Sequence, residues 1–166
     1  MKIMMTIRAM TEADWPQVAQ IYSEGISTGN ATFETVIPTY EKWSAEHSEK
    51  CRLVAIVEGS VAGWCVLSPV SGRYVYRGVA EVSIYIGEQY RGQKVGMRLL
   101  EALTEESEKE GYWTLQSVIQ EENVASLGLH HKCGFRTVGL RERIGRDSTG
   151  KWRNTLFLER RSTKVD

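Results

Sequence analysis

Apolar residues recur along this chain at two spacings, every second position or every third and fourth, and the switches between them mark its elements. Thr6-Ile7-Arg8 reads as a short strand, and Thr11 followed three residues later by Asp14 reads as a capped helix start. Trp15, Val18, Ile21 and Tyr22 carry that helix to about Ser27, and Thr39–Lys50 has helical composition with Trp43 and His47 four apart. Arg52–Glu58 and Val61–Ser68 are β-rich runs flanking Gly59-Ser60, a hairpin with a tight turn. Val79–Ile86 alternates, with Ala80, Val82, Ile84 and Ile86 on one face and Glu81, Ser83 and Tyr85 on the other. Val95, Leu99, Ala102 and Leu103 predict a helix over Lys94–Glu110, ended by Gly111. Trp113–Ile119 reads as a strand and Asn123–Lys132 as a short helix closed by Gly134. Phe135–Ile144 and Trp152–Arg160 read as two strands around the turn Asp147–Gly150. The order βααβββαβαββ predicts an α/β (α+β) fold with a mixed sheet.

The length, 166 residues, suits a single domain over 1–166 with a core of its own. With 42% hydrophobic and 25% charged residues, the composition is that of a globular protein. Lys plus Arg equals Asp plus Glu at 21 each, which argues against a nucleic-acid binder held by a broad basic face but leaves room for a local anion site. The longest apolar stretches, Leu53–Val57 and Val61–Leu67, are too short to cross a membrane, and Met1–Thr6 has no apolar signal core. The expected location is cytoplasmic. Cys51, Cys65 and Cys133 are odd in number and lack CxxC spacing, so neither a disulfide framework nor a metal site is expected.

The chemistry concentrates in a strand, turn and helix: Glu81–Ile86, Gly87–Arg91, then RGQKVG at Arg91–Gly96. Unpaired N–H groups at a helix N-terminus make an anion site, and Gly92 and Gly96 let a ligand approach the backbone. Arg91 and Lys94 add charge; equally, they fit a plain helix start with exposed basic residues. The segment lacks the G-x-G-x-x-G and G-K-[ST] patterns of dinucleotide and P-loop sites. The long loop Ser27–Pro38 carries Phe33 and has the character of a binding loop.

The succession of EVSIYI, RGQKVG and NVASLGLHHKCGF (Asn123–Phe135), after the opening IRAMTEADWPQVAQIY, resembles the GNAT superfamily of N-acetyltransferases over nearly the whole chain. Within it, the loop GNATFET, Arg73 eight residues before Glu81, and EVSIYI resemble the phosphinothricin and methionine sulfoximine acetyltransferase branch. The resemblance implies the GNAT fold, a mostly antiparallel sheet flanked by helices, and acetyl-CoA as co-substrate without a metal. It implies that Ile84, Tyr85 and Ile86 offer backbone groups to the pantetheine arm, and that a strand N–H polarises the thioester carbonyl. The pyrophosphate would sit on Arg91, Gly92, Gln93, Lys94, Val95, Gly96 and Met97. Asn123, Ser126 and Lys132 would meet the rest of the cofactor. Lys94 stands where the family pattern Arg/Gln-x-x-Gly-x-Gly/Ala has its first Gly, so it either crowds the phosphates or pairs with them.

Glu81 lies on a strand otherwise lined with apolar residues and is a candidate general base, or else an ion-pair partner of Arg73 or Arg77. His130 stands where many relatives carry a Tyr that protonates the CoA thiolate; it is a candidate acid, or a structural histidine. Arg73 is a candidate clamp for an acceptor carboxylate, with Ser71 and Gly72 beside it, Phe33 and Glu34 closing over the acceptor, and Val82 and Ser83 lining its seat. The expected activity is transfer of acetyl to the primary amine of phosphinothricin, methionine sulfoximine or methionine sulfone, by a homodimer with no nucleic-acid or membrane partner. A polyamine, aminoglycoside or protein amine is the alternative acceptor, and a CoA-binding module without turnover is the non-enzymatic alternative.

Overall fold

A computed structural model describes residues 3–166; Met1 and Lys2, the first positions of the Met1–Thr6 segment considered above, lie outside the described residues. The elements in chain order are β1 (Met5–Ala9), α1 (Trp15–Ser27), α2 (Tyr40–Glu46), β2 (Leu53–Val57), β3 (Ser60–Pro69), β4 (Val79–Ile86), α3 (Val95–Lys109), β5 (Thr114–Gln120), α4 (Val124–Lys132), β6 (Arg136–Arg146) and β7 (Trp152–Arg161). They build one seven-stranded sheet in the order β1-β2-β3-β4-β5-β7-β6. Every neighbouring pair is antiparallel except β4 and β5. The mixed, mostly antiparallel sheet flanked by helices is the expected architecture.

Strand β3 explains why the sheet needs two helical layers. Val61, Trp64 and Val66 face α1 and α2, where Val18, Ile21, Tyr22 and Trp43 cover them. Ala62, Cys65 and Leu67 face the other way, onto Val95, Leu99, Leu100 and Leu103 of α3. A strand buried on both faces reads as a continuous apolar run.

Local corrections to the expected boundaries have physical causes. Helix α2 ends at Glu46, short of Lys50: His47 turns to extended backbone (φ −120°, ψ 152°), and the Arg52 guanidinium takes the Ser44 carbonyl that the next turn would need, along with those of His47 and Ser48. The β2–β3 turn is Glu58-Gly59, both at positive φ (50° and 79°), so Ser60 already pairs with Val57. A 3₁₀ turn, Glu12–Asp14, precedes α1. Its Asp14 accepts from the Thr11 N–H and from both terminal nitrogens of Arg8, which holds its carboxyl down at about 2. Tyr85 does not belong to a polar face of β4: its ring stacks on Trp64 at 4.8 Å, and burial pushes its hydroxyl pKa up.

The feature that positions the site is the seam between β4 and β5. They pair only at Val79–Thr114, Ala80–Leu115 and Glu81–Gln116, then diverge. Past Glu81 the facing edges lose their ladder, and backbone groups there are left for other partners.

Candidate active site

Two cavities open from the β4–β5 divergence. The larger, a cleft of about 850 Å³, runs from the seam over the start of α3 to α4. Of the residues expected to hold a cofactor, Ile84, Tyr85, Ile86, Arg91, Gly92, Lys94, Val95, Gly96, Met97, Asn123, Ser126 and Lys132 line it. Gln93 does not; its amide donates to the Gln89 carbonyl instead. The smaller cavity, about 210 Å³, holds Phe33, Glu81, Val82, Ser83 and His130 in its wall. Ala31, Ile84, Tyr85, Asn123 and Ser126 line both, so the cavities meet at the seam.

Four expected acceptor residues do not line the smaller cavity. Glu34 sits on the exposed α1–α2 loop, and Ser71, Gly72 and Arg73 on the turn before β4. Arg73 lies 5.5 Å from the Tyr76 ring, and Arg77 lies 4.0 Å from the Tyr74 ring. Neither arginine pairs with Glu81. The carboxylate instead accepts a hydrogen bond from Gln116 Nε2 at 3.1 Å, across the last paired position of β4 and β5.

Lys94 precedes α3 in the left-handed conformation, φ 65° and ψ 13°. A side chain there costs about 1–2 kcal/mol against glycine, a steric reason for the Gly that the family pattern carries at this place. Gly92, at φ 76°, leaves its turn open, whereas Gly96 serves packing: a Cβ there would come within 3.1 Å of Leu129 on α4. The cleft therefore offers what the phosphates and arm of acetyl-CoA require: the free N–H end of a 15-residue helix, a side-chain cation, and an unpaired strand edge. No cluster of three or more His, Cys, Asp or Glu able to hold a metal occurs among the described residues.

On α4, Asn123 caps the helix by accepting from the Ser126 N–H at 3.3 Å. One turn on, His130 is buried, with Nδ1 2.7 Å from the Ser126 carbonyl oxygen. A carbonyl only accepts, so Nδ1 carries the hydrogen and the neutral ring presents a lone pair at Nε2. Burial, the larger influence, pushes the imidazole pKa below the ordinary histidine value, against the Ser126 carbonyl, which raises it.

Sequence reasoning missed Ser117, Gln120 and Thr155, which line the smaller cavity. Ser117 gave one signal, a polar residue between Leu115 and Ile119 on the core face of β5. It also missed Arg153, whose buried guanidinium binds Asp147 and Glu122 and donates to the Gly29 carbonyl and Asn30 Oδ1. Arg153 thereby pins the α1–α2 loop, which lines both cavities through Ala31, to β7.

The acetyltransferase (GNAT) family matches residues 13–135. The chain belongs to this family. A phosphinothricin N-acetyltransferase from Alcaligenes faecalis is 33% identical, over 93% of this chain and 81% of that protein. An L-methionine sulfoximine/L-methionine sulfone acetyltransferase from Pseudomonas aeruginosa is 26% identical over 93% and 92%. The solved GNAT superfamily phosphinothricin acetyltransferase from Sinorhizobium meliloti, in complex with AcCoA, superposes with a TM-score of 0.87 at 29% identity, covering 97% of this chain and 90% of that one. This GNAT chain is an acetyl-CoA-dependent N-acetyltransferase, and the cleft has the lining that its co-substrate needs.

Proposed function

We propose that this enzyme, a single N-acetyltransferase domain over 1–166, acetylates the primary amine of a small amino-acid-like acceptor of the phosphinothricin, methionine sulfoximine or methionine sulfone type. One observation carries the reading: the long cleft meets a small polar chamber at the β4–β5 seam, and Glu81 and His130 stand in the chamber wall. A chamber of about 210 Å³ is below the usual size of drug-binding pockets, which favours an amino acid over an aminoglycoside or a protein chain. Its one formally charged lining residue is Glu81, a natural partner for an ammonium group.

Acetyl-CoA supplies the acetyl group as a thioester. Glu81, oriented by Gln116, takes the ammonium proton and frees the amine's lone pair. Backbone N–H groups of β4 past Glu81 stabilise negative charge on the carbonyl oxygen. As the amine nitrogen bonds to the carbonyl carbon it sheds a second proton, which His130 takes at the Nε2 lone pair and gives to the sulfur as the C–S bond breaks, so it acts as a relay and not as a preloaded acid. Lys94 and the α3 N-terminus hold the pyrophosphate.

A homodimer is supported by the exposed Val138, Leu140 and Ile144 on β6, an edge strand of the sheet. Cytoplasmic placement is supported by free Cys51, Cys65 and Cys133. No helix among the described residues is long and apolar enough to cross a membrane.

The test is a thiol-release assay with acetyl-CoA against methionine sulfone, methionine sulfoximine, phosphinothricin, spermidine and an aminoglycoside. Turnover confined to the amino acids supports the reading. A preference for spermidine or the aminoglycoside overturns it.

A further inference from the structure

Four buried side chains in the wall of the small chamber have polar atoms without a hydrogen-bond partner among the described residues. They are Ser117 Oγ, both amide atoms of Gln120, His130 Nε2 and Thr155 Oγ1. Each residue is at most 4% exposed. Buried polar groups are normally paired, so groups gathered round one cavity mark a place built for a polar occupant.

Strand geometry divides the four into two sets. Ser117 lies between Leu115 and Ile119 on the face of β5 that packs towards α3, the face His130 also reaches. Gln116 shares the opposite face with Glu81, to which it bonds, and Gln120 is four residues further along on that face. Thr155 of β7 stands directly across from Gln120 in the antiparallel register, so its side chain points the same way. Glu81 and the Gln120–Thr155 pair thus occupy one face of the sheet, about 13 Å apart along the strand at the usual rise. That span, less the reach of the side chains, suits an acceptor whose amine and polar tail are separated by a few bonds.

We propose that Gln120 and Thr155 are specificity residues that hydrogen-bond the tail of the acceptor, and that they select a neutral oxo group, a sulfone or sulfoximine, over an anionic phosphinate. The proposal rests on the acceptor class given above and narrows it. An amide and a hydroxyl supply donors and acceptors but no charge. No Lys or Arg lines the chamber, and Glu81 already makes it negative, so a second anionic group, beyond the carboxylate that every acceptor of this class carries, would be desolvated without a counter-charge. A site that hydrogen-bonds its ligand also rejects an analogue lacking the group, because the site's own polar atoms are then left unpaired.

The experiment compares kcat/KM of the full-length enzyme for methionine sulfone, phosphinothricin and norleucine, in the wild type and in Gln120→Leu and Thr155→Val. The wild type is expected to favour the sulfone at least 10-fold over both others. Each substitution should raise KM for the sulfone about 10-fold, lower KM for norleucine, leave the acetyl-CoA KM unchanged, and keep or raise Tm, since an unpaired polar group gives way to an apolar one. Equal wild-type use of sulfone and norleucine, or preference for phosphinothricin, overturns the proposal while leaving amino-acid acetylation standing. Variants that fold but lose kcat equally with every acceptor overturn it in favour of a structural role. A wild type that acetylates none of the three sinks both readings. The wild-type comparison decides even if a variant fails to fold.

Discussion

The Phe33 ring rests on Gly145: a Cβ at Gly145 would stand 3.2 Å from Phe33 Cζ. The loop residue that walls the chamber is thus seated on β6, far along the chain, and the seat is the backbone of a residue without a side chain. Gly145→Ala should push the ring by a few tenths of an ångström. We expect a 2- to 10-fold rise in KM for the acceptor with acetyl-CoA unaffected, a magnitude on the order of small packing errors near a site. Steady-state kinetics with each substrate varied in turn checks this, and an unchanged acceptor KM would show that the contact is idle.

Glu81→Gln keeps the shape of the side chain and its contact with Gln116 but removes the base. Turnover should fall roughly 100-fold or more, the usual worth of a positioned general base. Acetyl-CoA affinity, measured by calorimetric titration, should hold, because the cleft and the carboxylate are separate parts of the site. Retention of full turnover would remove Glu81 from the chemistry.

Acid should weaken the protein in two separate windows. Burial lowers the pKa of His47 and of His130 below the ordinary 6.5, so the unfolded chain takes up protons that the folded one resists. Their contribution is present above 6.5 and is lost as pH falls from there through the folded values. Asp14, held at about 2 against 3.8 unfolded, adds stability above 3.8 that is lost only as pH falls towards 2. Thermal melts should therefore show Tm falling from about pH 6.5 downward, and His130→Phe should reduce the first window to the share that His47 contributes. In the same range kcat should drop in the wild type as Nε2 is protonated; a pH-independent kcat would return His130 to a structural role.

At the start of α3, Lys94→Gly relieves a left-handed side chain and should raise stability by about 1 kcal/mol. It should also weaken acetyl-CoA binding modestly at low salt, and the wild type should lose more affinity on adding salt than the variant. Titration of both proteins at two salt concentrations measures the difference. Tighter binding by the variant at every salt concentration would mean that Lys94 obstructs the phosphates.

What the sequence revealed of this site follows a physical division. The strand, turn and helix that carry Ile84, Ile86 and Val95–Met97 were legible because short-range patterns are written in consecutive residues, whereas the cofactor roles of those residues came from the family resemblance. Lys94 was legible as a departure, but its left-handed backbone was not, because it shows only in the dihedral angles. Gln120, Thr155 and Arg153 were invisible for a different reason. Their meeting depends on β5 pairing with β7 in one register and on Asn30 reaching across the fold, and no local spacing encodes either. Arg73 shows the converse: an arginine near the site in sequence whose guanidinium is turned to a tyrosine ring.

The short pairing of β4 with β5 also bears on how the protein behaves without its substrates. Proteins usually confine unpaired strand edges to the borders of a sheet and guard them there, yet this sheet keeps a pair in its middle. The pantetheine arm, lying in that gap, would act as the missing length of strand. The alternate amides between Val82 and Ile86 that face the gap, and not those that pair with β3, should then exchange with solvent readily in the ligand-free chain and slow sharply on adding acetyl-CoA, and Tm should climb with its concentration. The substrate would then become part of the fold's own hydrogen bonding, and a starved enzyme would be a looser one, with a strand edge at its centre waiting for an extended chain to complete the ladder.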